Sequence, residues 1–215
     1  RGLGDVYKRQ GGEAPKATSM SAGIGVPHLL RFHAPSLAKD TSDSATSFFG
    51  TFRRLFERIA EEDCVASPYP GEEHTGDAAE SWRDNLSMYP SFGHPDTPYV
   101  CANEADELAC VRAFYQFWSS FSSRKCFAWK DVHETRQAKD RRIKRLLEKE
   151  NKRSRDAARR EYNEAIHGLV TFIRRRDPRV KAHHAQQQNK ASNEADQMWR
   201  RAEAVSYTHL RAHET

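Results

Sequence analysis

The sequence predicts an all-α protein: a small helical core with a long basic helix, flanked by a disordered linker and tail. Three observations predict it. Apolar residues recur at steps of three and four in two separate stretches, and residues 136–162 carry 12 Lys or Arg against 5 Asp or Glu with no Gly or Pro. No stretch alternates apolar and polar residues as a half-buried strand would.

Composition limits the size of the core. With 37% hydrophobic and 30% charged residues in 215, one or two domains with much exposed chain are expected. The softest stretch, Ser21 to Leu30, is interrupted by Gly and Pro and is far shorter than the roughly 20 residues of a membrane helix, so no membrane partner is expected. Cysteines stand at 64, 101, 110 and 126 without a Cys-x-x-Cys pair or a paired His spacing. Neither a zinc site nor a disulfide framework is indicated, the thiols are expected to be reduced, and no cofactor is implied.

The elements follow in chain order. Residues 1–10 and 206–215 do not continue the patterns beside them, resemble translated sequencing-adapter sequence, and are expected to be artefactual ends of an open-ended fragment without an initiator Met. Within a first helical segment, 24–63, the stripe Phe48, Phe49, Phe52, Leu55, Phe56 and Ile59 predicts a docking helix over Thr46–Ile59. Residues 64–98 are rich in Pro, Gly, Ser and acidic side chains and read as a flexible linker ending in the aromatic segment Tyr89-Pro-Ser-Phe-Gly. A second helical domain is expected over 99–182. Its first helix should begin near Asn103, an N-cap followed by acidic residues, and run to about Ser122, placing Phe114, Tyr115, Trp118 and Phe121 in the core with Trp129 just beyond. The bland reading of these rings, packing rather than ligand binding, is preferred.

The basic helix comes next. Only Ile143, Leu146 and Leu147 are large and apolar before Tyr162, whereas Tyr162, Ile166, Leu169, Val170 and Ile173 restore a stripe, so its middle should stand in solvent and its end should pack. Asp177-Pro178 closes it, because Pro disfavours helical geometry in the residue before it. The tail 183–205 is polar and partly helical, with a weak stripe of Ala191, Ala195, Met198, Trp199 and Ala202 that is marginal alone.

Charge is polarised along the chain. Residues 11–123 hold 8 Lys or Arg and 16 Asp or Glu, whereas 124–205 hold 23 and 12, a formal balance moving from −8 to +11. Arg141, Arg142, Lys144, Arg145, Lys149, Lys152, Arg153, Arg155, Arg159 and Arg160 exceed the carboxylates three or four positions away. Such a surplus suits phosphate contacts with steep salt dependence and little base specificity; a merely solvated face is the competing reading.

These residues carry a resemblance. The order Gly25-Val-Pro-His-Leu-Leu-Arg-Phe, then residues 48–62, then Tyr89-Pro-Ser-Phe-Gly before a Phe-Tyr-x-Phe-Trp helix is similar to the region after the J domain in zuotin-like J-domain (DnaJ/Hsp40) co-chaperones. Ser120-Phe-Ser-Ser-Arg-Lys-Cys-Phe-Ala-Trp and residues 145–180 resemble the DnaJ homolog subfamily C member 21 type, so the match covers about 24–185. An acidic insertion at 102–109 departs from the family pattern. The resemblance implies Hsp70 as a partner, reached only through a J domain that would precede residue 24, and zinc fingers that would follow residue 205. It further implies a cytoplasmic role, with nuclear or nucleolar passage open, in maturation of the large ribosomal subunit. The ten basic residues would then dock on the pre-60S particle or its rRNA.

The tripeptide His94-Pro95-Asp96 matches the one J domains use on Hsp70, but it follows an acidic stretch and an aromatic turn and is read as a Pro-Asp turn. No Gly-rich phosphate loop, nucleophile elbow or apolar carboxylate pair is present, so no enzymatic activity is expected. His183 and His184 are read as surface residues. A helical RNA- or DNA-binding or scaffold protein unrelated to Hsp70 is the alternative function.

Overall fold

In the computed structural model, residues 23–64, 66, 86–101, 108–138 and 140–212 are described, with side chains given for all of them except 137 and 204–212. Five α-helices occupy them: α1 (Val26–Arg31), α2 (Phe48–Cys64), α3 (Val111–Ser119), α4 (Arg141–Arg174) and α5 (Pro178–Ala212). No strand occurs among the described residues.

The docking helix forms where its stripe predicts and runs one turn further, to Cys64. Ser47 starts it, its hydroxyl accepting the Gly50 amide hydrogen at 3.3 Å and donating to Ser44 O at 2.7 Å. Gly50 is required by close approach, since a Cβ there would lie 2.2 Å from Ser44 O. Phe48, Phe49, Phe52, Phe56 and Ile59 are buried, and α1 and α3 pack on the C-terminal half of α4 through Leu29, Val111, Phe114, Tyr115 and Trp118. Each ring fully removed from water contributes about 1.5–3 kcal/mol, and the edge-to-face pair Phe56–Phe114, 4.9 Å between centroids, adds to that.

Two expectations about boundaries change. The expected linker 64–98 ends early, because residues 86–98 belong to the core: Phe92 is buried among Phe48, Phe49, Phe52, Phe56 and Phe114, and the carbonyl of Pro90 accepts the Trp118 indole hydrogen at 3.1 Å. Its acidic part, 67–85, lies outside the described residues, as do residues 1–22. The helix expected from Asn103 starts at Val111 with Cys110 as N-cap, and 102–107 lie outside the described residues. The cysteine expectation is corrected as well. Cys101 and Cys110 are joined in a disulfide, with Cα atoms 5.1 Å apart, while Cys64 and Cys126 are free thiols. Hydrogen bonds from Val111 N to Pro98 O and from Arg112 N to Tyr99 O lay the two segments side by side, a juxtaposition that spacing alone does not show.

Asp177 and Pro178 do close α4, and they also open α5. The Asp177 side chain caps α5 by accepting the Arg179 amide hydrogen at 2.9 Å, and Pro178 occupies the first turn, where its missing donor costs nothing. The same carboxylate accepts from the Arg179 guanidinium at 2.8 Å and from Tyr115 OH at 2.8 Å. Arg179 reaches on to Phe92 O and His94 O, with its guanidinium carbon 4.7 Å from the Phe49 and Phe92 ring centres. Asp177 is wholly buried and Arg179 nearly so.

Removing one member of a buried pair leaves the other charge uncompensated. Asp177→Asn is therefore expected to lower stability by about 3–5 kcal/mol, read as an earlier urea midpoint at unchanged slope. A loss below about 1 kcal/mol would show that the pair is peripheral.

Candidate nucleic-acid interface

Helix α4 has 34 residues and is about 50 Å long. Asp140 caps it, accepting the Arg142 amide hydrogen at 2.8 Å, so the helix begins five residues later than the basic run. Tyr162, Ile166, Leu169, Val170 and Ile173 are buried as their stripe predicts, and residues 141–146 stand in solvent.

The ten basic residues divide into two groups. Arg141, Arg142, Lys144, Arg145, Lys149, Lys152 and Arg153 are exposed, and none of them forms an ion pair among the described residues. At about 100° per residue, all of these except Lys144 fall in one sector of roughly 120°. Arg160 is exposed too, with its Nε donating to Asp156 O. Arg155 turns inward, and Arg159 is half-buried. Arg155 is buried and pairs with Asp131 at 2.6 Å, and Arg159 donates to Lys125 O at 3.3 Å and lies near Asp156 at 3.5 Å. They hold a loop rather than present charge.

That loop, residues 124–138, is fastened to α4 along its length. Lys125 is buried and donates to Glu62 at 2.8 Å, to Tyr162 OH and to Ile24 O. Glu62 in turn accepts the Ile24 amide hydrogen at 2.8 Å. Burial, and then the Glu62 and Asp63 charges, push the Tyr162 phenol above its ordinary range. Further along, Asn151 is buried in α4, accepts from Val132 N and His133 N at 3.0 and 2.9 Å, and donates to His133 O at 2.7 Å. Ser154 donates to Lys130 O at 2.8 Å.

Of the expected core aromatics, Phe114, Tyr115, Trp118 and Phe121 are buried, but Trp129 is 52% exposed. The reason lies two residues earlier. Phe127 adopts φ 55°, ψ 25°, the left-handed region that costs a bulky residue about 1–2 kcal/mol, and its ring is buried 5.8 Å from Tyr162. The short helical turn Ala128–Lys130 then carries Trp129 outward, 5.0 Å from Phe127.

His94-Pro95-Asp96 is a turn, as read. Thr97 N donates to His94 O at 3.1 Å, Gly93 precedes it at φ +74°, and Arg179 holds the His94 carbonyl. His94 Nδ1 lies 2.8 Å from Asp43, and that hydrogen bond, with Arg53 beside it, keeps the Asp43 carboxyl below its usual range. His183 is half-buried rather than a surface residue, stacked on Tyr99 at 3.8 Å.

Sequence reasoning missed Asp63, Asn151 and Arg179. Asp63 is buried and accepts from Tyr89 OH, Ser123 Oγ and Arg124 N, and the charge on it raises the Tyr89 phenol further above its range after burial has done so. All three are polar residues in polar stretches, and only their contacts set them apart.

Residues 80–181 match the family model described as the zuotin-like zuotin homology domain. The chain belongs to the zuotin-like family. It is 37% identical over 155 residues to DnaJ homolog subfamily C member 21 of Danio rerio, covering 72% of this chain and 25% of that protein. To J protein JJJ1 of Saccharomyces cerevisiae it is 27% identical, covering 74% of this chain and 28% of that protein. To Zuotin of the same yeast it is 26% identical, covering 62% of this chain and 33% of that protein. The zuotin-like chain thus spans about a quarter to a third of these relatives, and no solved structure matches it. Among the described residues, no helix is long and apolar enough to cross a membrane, and no cluster suits a metal ion.

Losing the Asn151 side chain orphans three backbone groups, so Asn151→Ala is expected to cost about 1–3 kcal/mol. Hydrogen exchange at Val132 and His133 should accelerate well before exchange at Leu169. Unchanged protection would show the loop to be held by other contacts.

Proposed function

We propose that this chain is the ribosome-directed, non-catalytic part of a J-domain co-chaperone that works with Hsp70 in large-subunit biogenesis in the cytoplasm. The exposed face of α4 docks on rRNA of the large subunit or its pre-60S precursor. The observation that carries the reading is the row Arg141, Arg142, Arg145, Lys149, Lys152 and Arg153, which lies in one sector and has no carboxylate partner among the described residues. Unpaired cations along one face of a helix suit phosphates, and displacement of condensed counterions supplies the affinity. The relatives' names, DnaJ homolog and J protein, support the Hsp70 connection and weigh against an unrelated scaffold.

Co-sedimentation of the chain with purified large ribosomal subunits over a salt series tests the docking. Six phosphate contacts lose about 1,000-fold in affinity between 50 and 200 mM salt. The variant with all six residues of the row changed to Glu is expected to stay in the supernatant throughout. Equal binding by parent and variant would place attachment elsewhere.

A further inference from the structure

We propose that a cleft between α3 and α5 binds a small phosphate monoester, at a site separate from the basic row of α4 and independent of the rRNA reading. The cleft has a volume of about 690 Å³, within the range of small-molecule sites. Arg112 and Gln116 of α3, Arg174 of the last turn of α4, and His183 and Gln187 of α5 line it, with Tyr99 at its edge, and no carboxylate is among its lining residues. Arg174 lies 21 residues beyond Arg153, so about 30 Å along α4 separates the cleft from the row. The walls are built before any ligand arrives. The Cys101–Cys110 disulfide and the hydrogen bonds from Val111 N to Pro98 O and from Arg112 N to Tyr99 O tie the 98–101 segment to the start of α3. Tyr99 is stacked on His183 at 3.8 Å, and Tyr115, which the Arg174 guanidinium carbon approaches to 5.8 Å from the ring centre, donates to Asp177. The Asp177 charge is matched by Arg179, so it does not oppose an anion in the cleft.

Arg112 and Arg174 are exposed, and neither forms an ion pair among the described residues. Two guanidiniums on one cleft with no carboxylate between them favour an anion, and their planar forks suit carboxylate and phosphate oxygens alike. Charge decides between those classes. A phosphate monoester carries about −1.5 to −2 at neutral pH and so matches two arginines, whereas a carboxylate or an internal RNA phosphodiester brings a single charge. The amides of Gln116 and Gln187 are left to meet the organic part of the ligand. His183 Nδ1 is buried and has no hydrogen-bond partner among the described residues, a polar group left unmet at the cleft wall. Holding these walls in place lowers the ordering cost of binding.

The test is calorimetric titration of the full chain with AMP, with inorganic phosphate as competitor and adenosine as the uncharged control. AMP is expected to bind one to one and to be displaced by phosphate, with adenosine weaker by about tenfold or more. Arg112→Gln and Arg174→Gln should each weaken AMP binding about tenfold while unfolding at the parent's urea midpoint. The variant with the six α4 row residues changed to Glu should keep the parent's AMP affinity. Glu104, Asp106 and Glu107 stand near Arg112 in sequence and outside the described residues, so changing them to Gln, Asn and Gln should leave AMP affinity equal or tighter. Absence of saturable AMP and phosphate binding at millimolar concentration overturns the site. Equal affinity for adenosine and AMP overturns it in favour of an uncharged ligand, and AMP binding lost with the row but not with the two arginines places the anion on α4 instead. Weaker AMP binding after the three carboxylates are neutralised overturns the charge match.

Discussion

The buried Asp177 carboxylate is the point on which the described structure turns. It ends α4, caps α5, and accepts from Tyr115 OH and from the Arg179 guanidinium. Through Arg179 it reaches the carbonyls of Phe92 and His94 and the faces of Phe49 and Phe92. One acid thus joins residues from α2, the 86–98 segment, α3 and both long helices. Burying two charges is costly, and attraction offsets the cost only where the remaining donors and acceptors are filled. Here they are: Asp177 accepts from three groups, and Arg179 uses Nε, Nη1 and Nη2. The pair's value therefore lies in specifying one arrangement of the core.

With its C-terminal half fixed by that core, α4 extends about 50 Å and presents its other half to solvent. A second buried polar set fastens the 124–138 loop along it, through Lys125 with Glu62, Asn151, and Arg155 with Asp131. Two of the ten basic residues of the run serve this fastening, so composition overstates the charge available for binding by their contribution. The eight that remain are exposed and without ion pairs among the described residues, which is costly in self-repulsion unless a polyanion is the partner.

Much of this was legible in the sequence. Proline chemistry located the Asp177-Pro178 break, and periodicity located α2 and the packed end of α4, because a helix that buries one stripe must write it at steps of three and four. It also located the core aromatics Phe114, Tyr115, Trp118 and Phe121. Less legible were features that depend on tertiary pairing. Phe92 looked like the end of a linker because a single ring in a Pro- and Ser-rich segment has no period. Cys101 and Cys110 looked unrelated until the hydrogen bonds from Val111 and Arg112 brought their segments together. Trp129 looked like core because aromatic residues generally are, and only the left-handed Phe127 explains why it is not. Arg155 and Arg159 were indistinguishable from their neighbours by composition, since the inward face of α4 is set by a loop whose docking is long-range.

The most direct test of the central claim, that the exposed basic face of α4 is an RNA interface, is ultraviolet crosslinking of the chain to purified large ribosomal subunits followed by mass spectrometry of RNA-bearing peptides. The account predicts crosslinks concentrated in residues 141–153. Crosslinks confined to the exposed half of α5, around Met198 and Trp199, or none at all, would contradict it.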